Sequence, residues 1–385
     1  MKNKELKILA IIPSGFCFGL QHITIDFFSG FPPNIKSHFL VTRWHNGEFT
    51  SLLKKHNLSY SYSWLGMFSR KLDWKNLKMS LHALIKLPIL YFDFIKIKRK
   101  SKPDVLYFAN HHELILLFPI LIFTRKKIVC HMHDPSPAND FQKFTFKFYS
   151  KVVHHFIAIS DDVKNRTILL GCPLNKITTI HNGIEINNDL PCTRMHHFAD
   201  LAGWKRDTCI IGMTGQMTAT KGLNDLIDAF KIVKSQNENV RLVIGGKKNE
   251  IYYQEILQQI KKNDLENYVY FTGWLSNSSI FYKNIDIYVL ASRHDEGFGL
   301  VVAEAMMHNL PVVATKSGGV IEIIEDGKSG LLVPKNNPER LSKAICNLLN
   351  DYELRNKISY NSKVRILKNF DIQIQREKFL LLLTQ

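Results

Sequence analysis

The chain runs one pattern twice, and that repetition constrains its fold more than any single residue. Short apolar runs with little polar interruption occur at Lys7–Ile12, His38–Thr42, Val105–Ala109, Lys127–His131 and Phe156–Ile159. A second series follows at Cys209–Thr214, Val240–Ile244, Val269–Thr272, Ile287–Ala291 and Pro311–Ala314. Runs without polar alternation are the signature of parallel strands covered on both faces. Amphipathic stretches separate them: Leu223, Leu226, Ile227, Phe230 and Val233 fall on one helical face. Strand–helix alternation repeated in this way predicts an α/β chain of two doubly wound, Rossmann-like domains. The joint is expected at 187–204, a polar stretch with Pro191 and the pair His196-His197. The expected domains are 1–190 and 191–365, with a C-terminal helix over 366–385 packing back on the first domain.

With 385 residues, each domain is large enough to bury its own core. The formal net charge is +17. An excess of that size attracts anions, whether nucleic acid, anionic lipid or phosphorylated substrates. The six cysteines are scattered, with no C-x-x-C pair, which predicts free thiols in a reducing compartment. The first apolar run is too short for a signal peptide. The run Leu114–Phe123 contains Pro119 and is shorter than the roughly 20 residues a spanning helix needs. The expectation is therefore a cytoplasmic chain without a transmembrane helix. Residues 75–102 mix Leu, Ile, Phe and Tyr with Lys and close on Ile95-Lys96-Ile97-Lys98-Arg99-Lys100. Two readings stand: an amphipathic segment lying on an anionic membrane, or a helix covering the sheet with a solvated basic edge.

Chemistry concentrates where strands give way to helices. Ser292 to Ala305 follows the strand Ile287–Ala291 and places Glu296-Gly297-Phe298-Gly299 before a helix expected to start near Leu300. A glycine-rich turn at a helix N-terminus favours phosphate through free N–H groups and the helix dipole. Glu296 sits in the loop and Glu304 about one turn into the helix, where carboxylates can accept hydrogen bonds from sugar or ribose hydroxyls; two solvated glutamates are the plainer alternative. Thr214 to Leu223 also joins a strand to a helix. It lacks the P-loop spacing, but Lys221 before the helix can hold a diphosphate, or be a surface lysine. In His131-Met132-His133-Asp134-Pro135, His133 lies at the carboxyl end of a parallel strand, where ligands bind. It can serve a sugar hydroxyl or simply cap a turn. H-x-H is also a metal spacing, but no third ligand matches it. Ser14 to Leu20 turns after the first strand, with Gly15 and Gly19 four apart, so it misses the dinucleotide fingerprint.

Taken together, these stretches resemble glycosyltransferase family 4, the retaining enzymes of the GT-B fold. Glu296 to Glu304 matches the family's E-x7-E motif with Glu-Gly-Phe-Gly-Leu intact. It continues through Pro311-Val312-Val313-Ala314, Gly318-Gly319, Glu322 and Asp326-Gly327 to Pro334. Upstream, Ala158-Ile159-Ser160 and Ile180-His181-Asn182-Gly183-Ile184 resemble the end of the N-terminal domain. The resemblance implies two domains facing a central cleft and a nucleotide-sugar donor. It makes Lys221 the diphosphate ligand, Glu296 the donor-sugar contact and Glu304 the ribose contact. The backbone of Phe298, Gly299, Leu300 and Val301 lies nearby, His133 faces the donor sugar, and Gly19 approaches the phosphates and acceptor. Gln216 stands where the family usually has arginine, and Phe18 replaces one of a glycine pair. The first change removes a positive charge that Lys221, the helix N-terminus or Arg293 would have to supply.

The resemblance implies front-face transfer with retention; the basic, aromatic segment suits a glycan or lipid-linked acceptor at the inner leaflet, and the expected setting is O-antigen, lipopolysaccharide or capsule assembly. The sequence has no D-x-D motif, so Lys221 and the helix N-terminus are expected to do the work that a metal does in other sugar transferases. No metal and no separate cofactor is expected. The donor base would meet backbone near Gly273 and Trp274. Two alternatives remain: a nucleotide-sugar epimerase of the same fold, or an anion-binding protein whose catalytic site has decayed. Nucleic acid is not expected as a partner, because no recognition signature accompanies the charge.

Overall fold

The computed structural model describes residues 5–12, 19–44, 47–66, 74–133, 139–186, 195–275 and 277–384, excluding the side chains of 75 and 76. The chain divides into two compact units, residues 1–183 with 372–385, and residues 184–371. The divisions therefore follow Gly183 and Asp371. Of the stretch expected to form an irregular joint, 187–194 lies outside the described residues, and a short helix occupies His197–Ala202.

Unit 1 alternates strand and helix. It opens with β1 (Leu6–Ile12), α1 (Gly19–Ser29), β2 (Ile35–Thr42), α2 (Glu48–Lys55), β3 (Ser59–Ser63) and the long α3 (Trp74–Ser101). It continues with β4 (Val105–Phe108), α4 (His112–Leu121), β5 (Lys127–Met132), α5 (Asp140–Tyr149), β6 (His155–Ala158), α6 (Asp161–Leu169) and β7 (Ile177–Thr179). The seven strands form one parallel sheet in the order β3-β2-β1-β4-β5-β6-β7. Strand order reverses between β1 and β4, which makes the carboxyl ends of those strands the natural ligand crevice. Past their first residues the central strands are largely apolar and buried, as a sheet covered on both faces requires.

Unit 2 begins with α7 (His197–Ala202), β8 (Cys209–Thr214), α8 (Leu223–Gln236), β9 (Val240–Gly245), α9 (Glu250–Lys262), β10 (Val269–Gly273), α10 (Ser278–Tyr282) and β11 (Ile287–Leu290). It is completed by α11 (Leu300–Met307), β12 (Val312–Thr315), α12 (Val320–Ile323), β13 (Leu331–Val333), α13 (Pro338–Asn350) and α14 (Tyr352–Asn369). Its six strands are also parallel, in the order β10-β9-β8-β11-β12-β13. The reversal lies between β8 and β11. The five apolar positions read as one face of α8 are all buried.

The last helix, α15 (Ile372–Thr384), belongs to unit 1. Arg376 fastens it there by donating to the carbonyls of Asp26 and Phe27. Those carbonyls lie in the last turns of α1, where helix acceptors lack intrahelical donors. Phe379 is fully buried with its ring 5.1 Å from Phe27 and 5.6 Å from Tyr107.

The 75–102 segment forms α3, and Ala83, Leu90 and Phe94 bury one side of it against unit 1. No helix among the described residues is long and apolar enough to cross a membrane.

Candidate active site

In unit 2 the two motif loops meet at the carboxyl ends of β8 and β11. A single helical turn, Ala219–Lys221, leads into α8. Gly222 follows it with φ +69°, and a Cβ there would sit 2.0 Å from the carbonyl oxygen of Ala291. Only glycine allows that approach, which lays the Lys221 turn against the end of β11. The backbone N–H of Arg293 then donates to the carbonyl of Thr220 at 2.9 Å.

The result is a contact between residues 75 positions apart. The Lys221 ammonium donates to both carboxylate oxygens of Glu296, at 2.7 and 2.9 Å. Ser292 also donates its hydroxyl to Glu296 Oε1. Both charged side chains are half-buried, so the pair is partly shielded from water. The Glu296 loop is clamped from behind. Gly319 N–H donates to the Glu296 carbonyl at 2.8 Å. Gly318 has φ +48°, and a Cβ on it would lie 2.2 Å from that same oxygen. The Gly318-Gly319 pair is thus the seat on which Glu296 rests.

Beyond Glu296 the chain turns through Gly299, with φ +103°, and starts α11 at Leu300. The Phe298 side chain is buried, its ring 5.6 Å from Phe370, so only its backbone can serve a ligand. Leu300 and Val301 open the helix, where N–H groups lack intrahelical acceptors and the dipole favours an anion. Glu304 follows one turn later and accepts from the Tyr282 hydroxyl at 2.8 Å. Burial raises its pKa above the ordinary carboxylate value. Gln216 is exposed after β8, and with Thr214, Gly215, Lys221 and Gly245 it lines a small hollow at the strand ends.

One expectation changes. The Arg293 guanidinium makes a two-pronged contact with Asp225, Nε to Oδ2 at 2.8 Å and a terminal nitrogen to Oδ1 at 2.6 Å. Such a bidentate pair commits both charges to each other. Arg293 therefore does not stand in for the charge missing at Gln216.

In unit 1, His133 follows β5 directly. Its ring lies 4.4 Å from that of His131, whose Nδ1 meets the Tyr107 hydroxyl at 2.8 Å. Burial penalises the imidazolium and lowers the His133 pKa to about 4; His131 is lowered well below its usual value in the same way. At neutral pH both rings are uncharged, and His133 Nε2 is buried without a hydrogen-bond partner among the described residues. Asp134 and Pro135, after it, lie outside the described residues, as do Ser14 to Phe18 of the first turn. Gly19 is the exposed first residue of α1.

A pH effect follows from the buried histidines. The unfolded chain takes a proton near pH 6.5 that the native ring refuses until about pH 4. Stability of unit 1 is full above that window and falls as pH drops through it. Between pH 7 and pH 5 the loss from His133 is expected to be about 1–2 kcal/mol. Hydrogen exchange of the β5 and β6 amides, corrected for intrinsic rate, measures it; a His133→Asn chain should lose less over the same interval.

Sequence reasoning did not find Ser292, Tyr282 or the Asp225 partner of Arg293. For Tyr282 and Asp225 the signal is tertiary, since Tyr282 is 22 positions from Glu304 and Asp225 is 68 from Arg293; Ser292 lies only four positions from Glu296, within the same loop.

Comparison with known proteins agrees with this geometry. The family model described as "Glycosyl transferases group 1" matches residues 201–365. The model described as "Glycosyltransferase Family 4" matches residues 75–188. Glycosyltransferase models thus match two successive stretches of the chain, and it is similar to family 4 glycosyltransferases in both. It is 30% identical over 237 residues to the capsular polysaccharide biosynthesis glycosyltransferase CapM of Staphylococcus aureus, covering 57% of this chain and 58% of CapM. It is 37% identical over 223 residues to the uncharacterized glycosyltransferase MJ1178 of Methanocaldococcus jannaschii, covering 57% of each. It thus spans a little over half the length of these curated relatives. Among solved structures, Alr3699/HepE of Anabaena in complex with UDP-glucose superposes with a TM-score of 0.81 at 21% identity, over 98% of this chain and 99% of that one. That likeness establishes the GT-B fold, α/β with two Rossmann-like parallel sheets.

Proposed function

We propose that this chain transfers a sugar from a nucleotide-sugar to a glycan or lipid-linked acceptor, with retention and without a metal. The observation that carries the reading is the ion pair of Lys221 with Glu296 beside the N-terminus of α11. A departing nucleoside diphosphate builds negative charge on its phosphates and positive charge on the sugar ring. Lys221 and the first amides of α11 oppose the former. Glu296, once a diphosphate takes the lysine, is released to accept hydrogen bonds from the donor sugar. Glu304, next to Tyr282, serves the ribose hydroxyls. His133, uncharged at neutral pH, presents a hydrogen-bonding nitrogen without adding cationic charge.

The likeness to a capsular polysaccharide transferase and to a UDP-glucose-binding structure supports a UDP-sugar donor and a place in surface-polysaccharide assembly, at the inner face of the cytoplasmic membrane. The absence of D-x-D in the sequence supports metal independence. A thermal-shift screen of nucleotide-sugars against the full chain, followed by product analysis with and without EDTA, tests the reading. A UDP-sugar should stabilise the chain, and transfer should survive the chelator. Isomerisation of the donor alone points to an epimerase. Absence of any nucleotide-dependent shift overturns the proposal.

A further inference from the structure

Three neighbouring helices of unit 1 present an apolar, cationic face outward. The right-handed crossover rule places α3, α4 and α5 on one side of the sheet, because the steps from β3 to β4, β5 and β6 all run the same way. α4 packs against both α3 and α5. A helix covering a sheet ordinarily turns a polar face to solvent. Here α3 carries two apolar arcs. Ala83, Leu90 and Phe94 face the core, and on the opposite arc Trp74, Leu81, Ile85 and Phe92 are exposed, Trp74 by 74% and Phe92 by 66%. At 100° per residue, Lys78, Lys96 and Arg99 fall within or beside that outer arc, and all three are exposed. The helix has a single acidic residue, Asp93, and it accepts a hydrogen bond from Ser63 at 2.9 Å.

The neighbouring helices repeat the arrangement. Phe123, just past α4, is 82% exposed and is followed by exposed Arg125. On α5, Phe141, Phe144 and Phe148 form an exposed stripe, with the rings of Phe144 and Phe148 4.8 Å apart. Lys143 and Lys147 are exposed beside them, and the Lys151 ammonium lies 5.6 Å from the Phe148 ring.

From this face we infer that unit 1 docks on an anionic lipid surface through the outer arcs of α3 and α5 and the tip of α4. Charge complementarity selects that occupant. Aromatic and aliphatic side chains enter the headgroup boundary while flanking lysines and arginines meet lipid phosphates. α3 alone offers a ridge of about 42 Å. The inference deepens the proposed function by naming the surface that brings the chain to a lipid-linked acceptor, but it rests on exposure and charge in unit 1, not on the donor site.

Vesicle flotation of the full chain tests it, using phosphatidylcholine alone and phosphatidylcholine mixed with phosphatidylglycerol. The chain is expected to float with the anionic vesicles and largely stay behind with the neutral ones. Phe123→Ser with Phe144→Ser should lower partitioning about tenfold, and Lys96→Glu with Arg99→Glu about as much. All four positions are exposed, so melting temperature and nucleoside diphosphate binding should match the parent chain. No flotation with anionic vesicles, or equal flotation of parent and variants, overturns the inference. So does a concentration-dependent dimer that the phenylalanine variant abolishes, since the face would then close on a second copy. Failure to bind any nucleotide would sink the donor reading and leave the flotation result standing.

Discussion

Replacing Lys221 by alanine is expected to lower kcat/KM for sugar transfer by about 10³-fold, through a preorganised cation lost where phosphate charge develops. Lys221 makes the direct contact with Glu296, and Arg293 is committed to Asp225. Gln216 brings no charge of its own. The lysine therefore carries more of the electrostatic work than it would with an arginine at position 216. Stability should change little, because a half-buried ion pair near the surface contributes about 1 kcal/mol or less. Steady-state kinetics with a thermal melt on the same preparation checks both statements. Full activity in Lys221→Ala would remove the physical basis of the proposed function. Parallel loss of activity and melting temperature would reduce the lysine to a structural role.

Glu296→Gln is expected to separate catalysis from diphosphate binding. Transfer should fall by about 10²- to 10³-fold, since the carboxylate is the acceptor offered to the donor sugar as positive charge grows on its ring. Binding of the nucleoside diphosphate should be unchanged or tighter. The reason is competition: the carboxylate holds the Lys221 ammonium at 2.7 and 2.9 Å, and an arriving diphosphate must displace it. Glutamine keeps the shape and removes the rival charge. Calorimetry with UDP beside single-turnover transfer distinguishes the two effects. A variant that loses UDP affinity in proportion to rate would show that Glu296 organises the phosphate site and does not act on the sugar.

Several elements of the fold were legible because burial on both faces of a parallel sheet leaves a mark on composition. The core strands β1, β4, β8 and β11 are mostly apolar runs for that reason. β3, β7 and β13 were not anticipated. Each lies at a sheet edge, where one flank is unpaired; β3 and β7 are largely polar, and β7 and β13 are only three residues long, too short to stand out as runs. β3 reads Ser-Tyr-Ser-Tyr-Ser, and its register against β2 is what makes it a strand. The joint was placed by polarity alone, which cannot reveal that the chain divides at Gly183 or that Arg376 returns α15 to α1. In α3 both apolar arcs were written in the residues, but a helical period cannot say which arc the sheet will cover.

By itself the sequence determined the class of fold and the order of the two sheets along the chain, and it pointed to Lys221, Glu296 and Glu304 as candidates, because strand burial, glycine-rich turns and helix starts are local and leave local signatures. The tertiary structure decided which of those groups touch: the Lys221 turn against Ala291, Glu296 seated on Gly318-Gly319, Arg293 spent on Asp225, and the outer arc of α3 left facing solvent. These contacts join residues far apart in the chain, and their energies depend on close approach and desolvation, which exist only once the sheets have assembled.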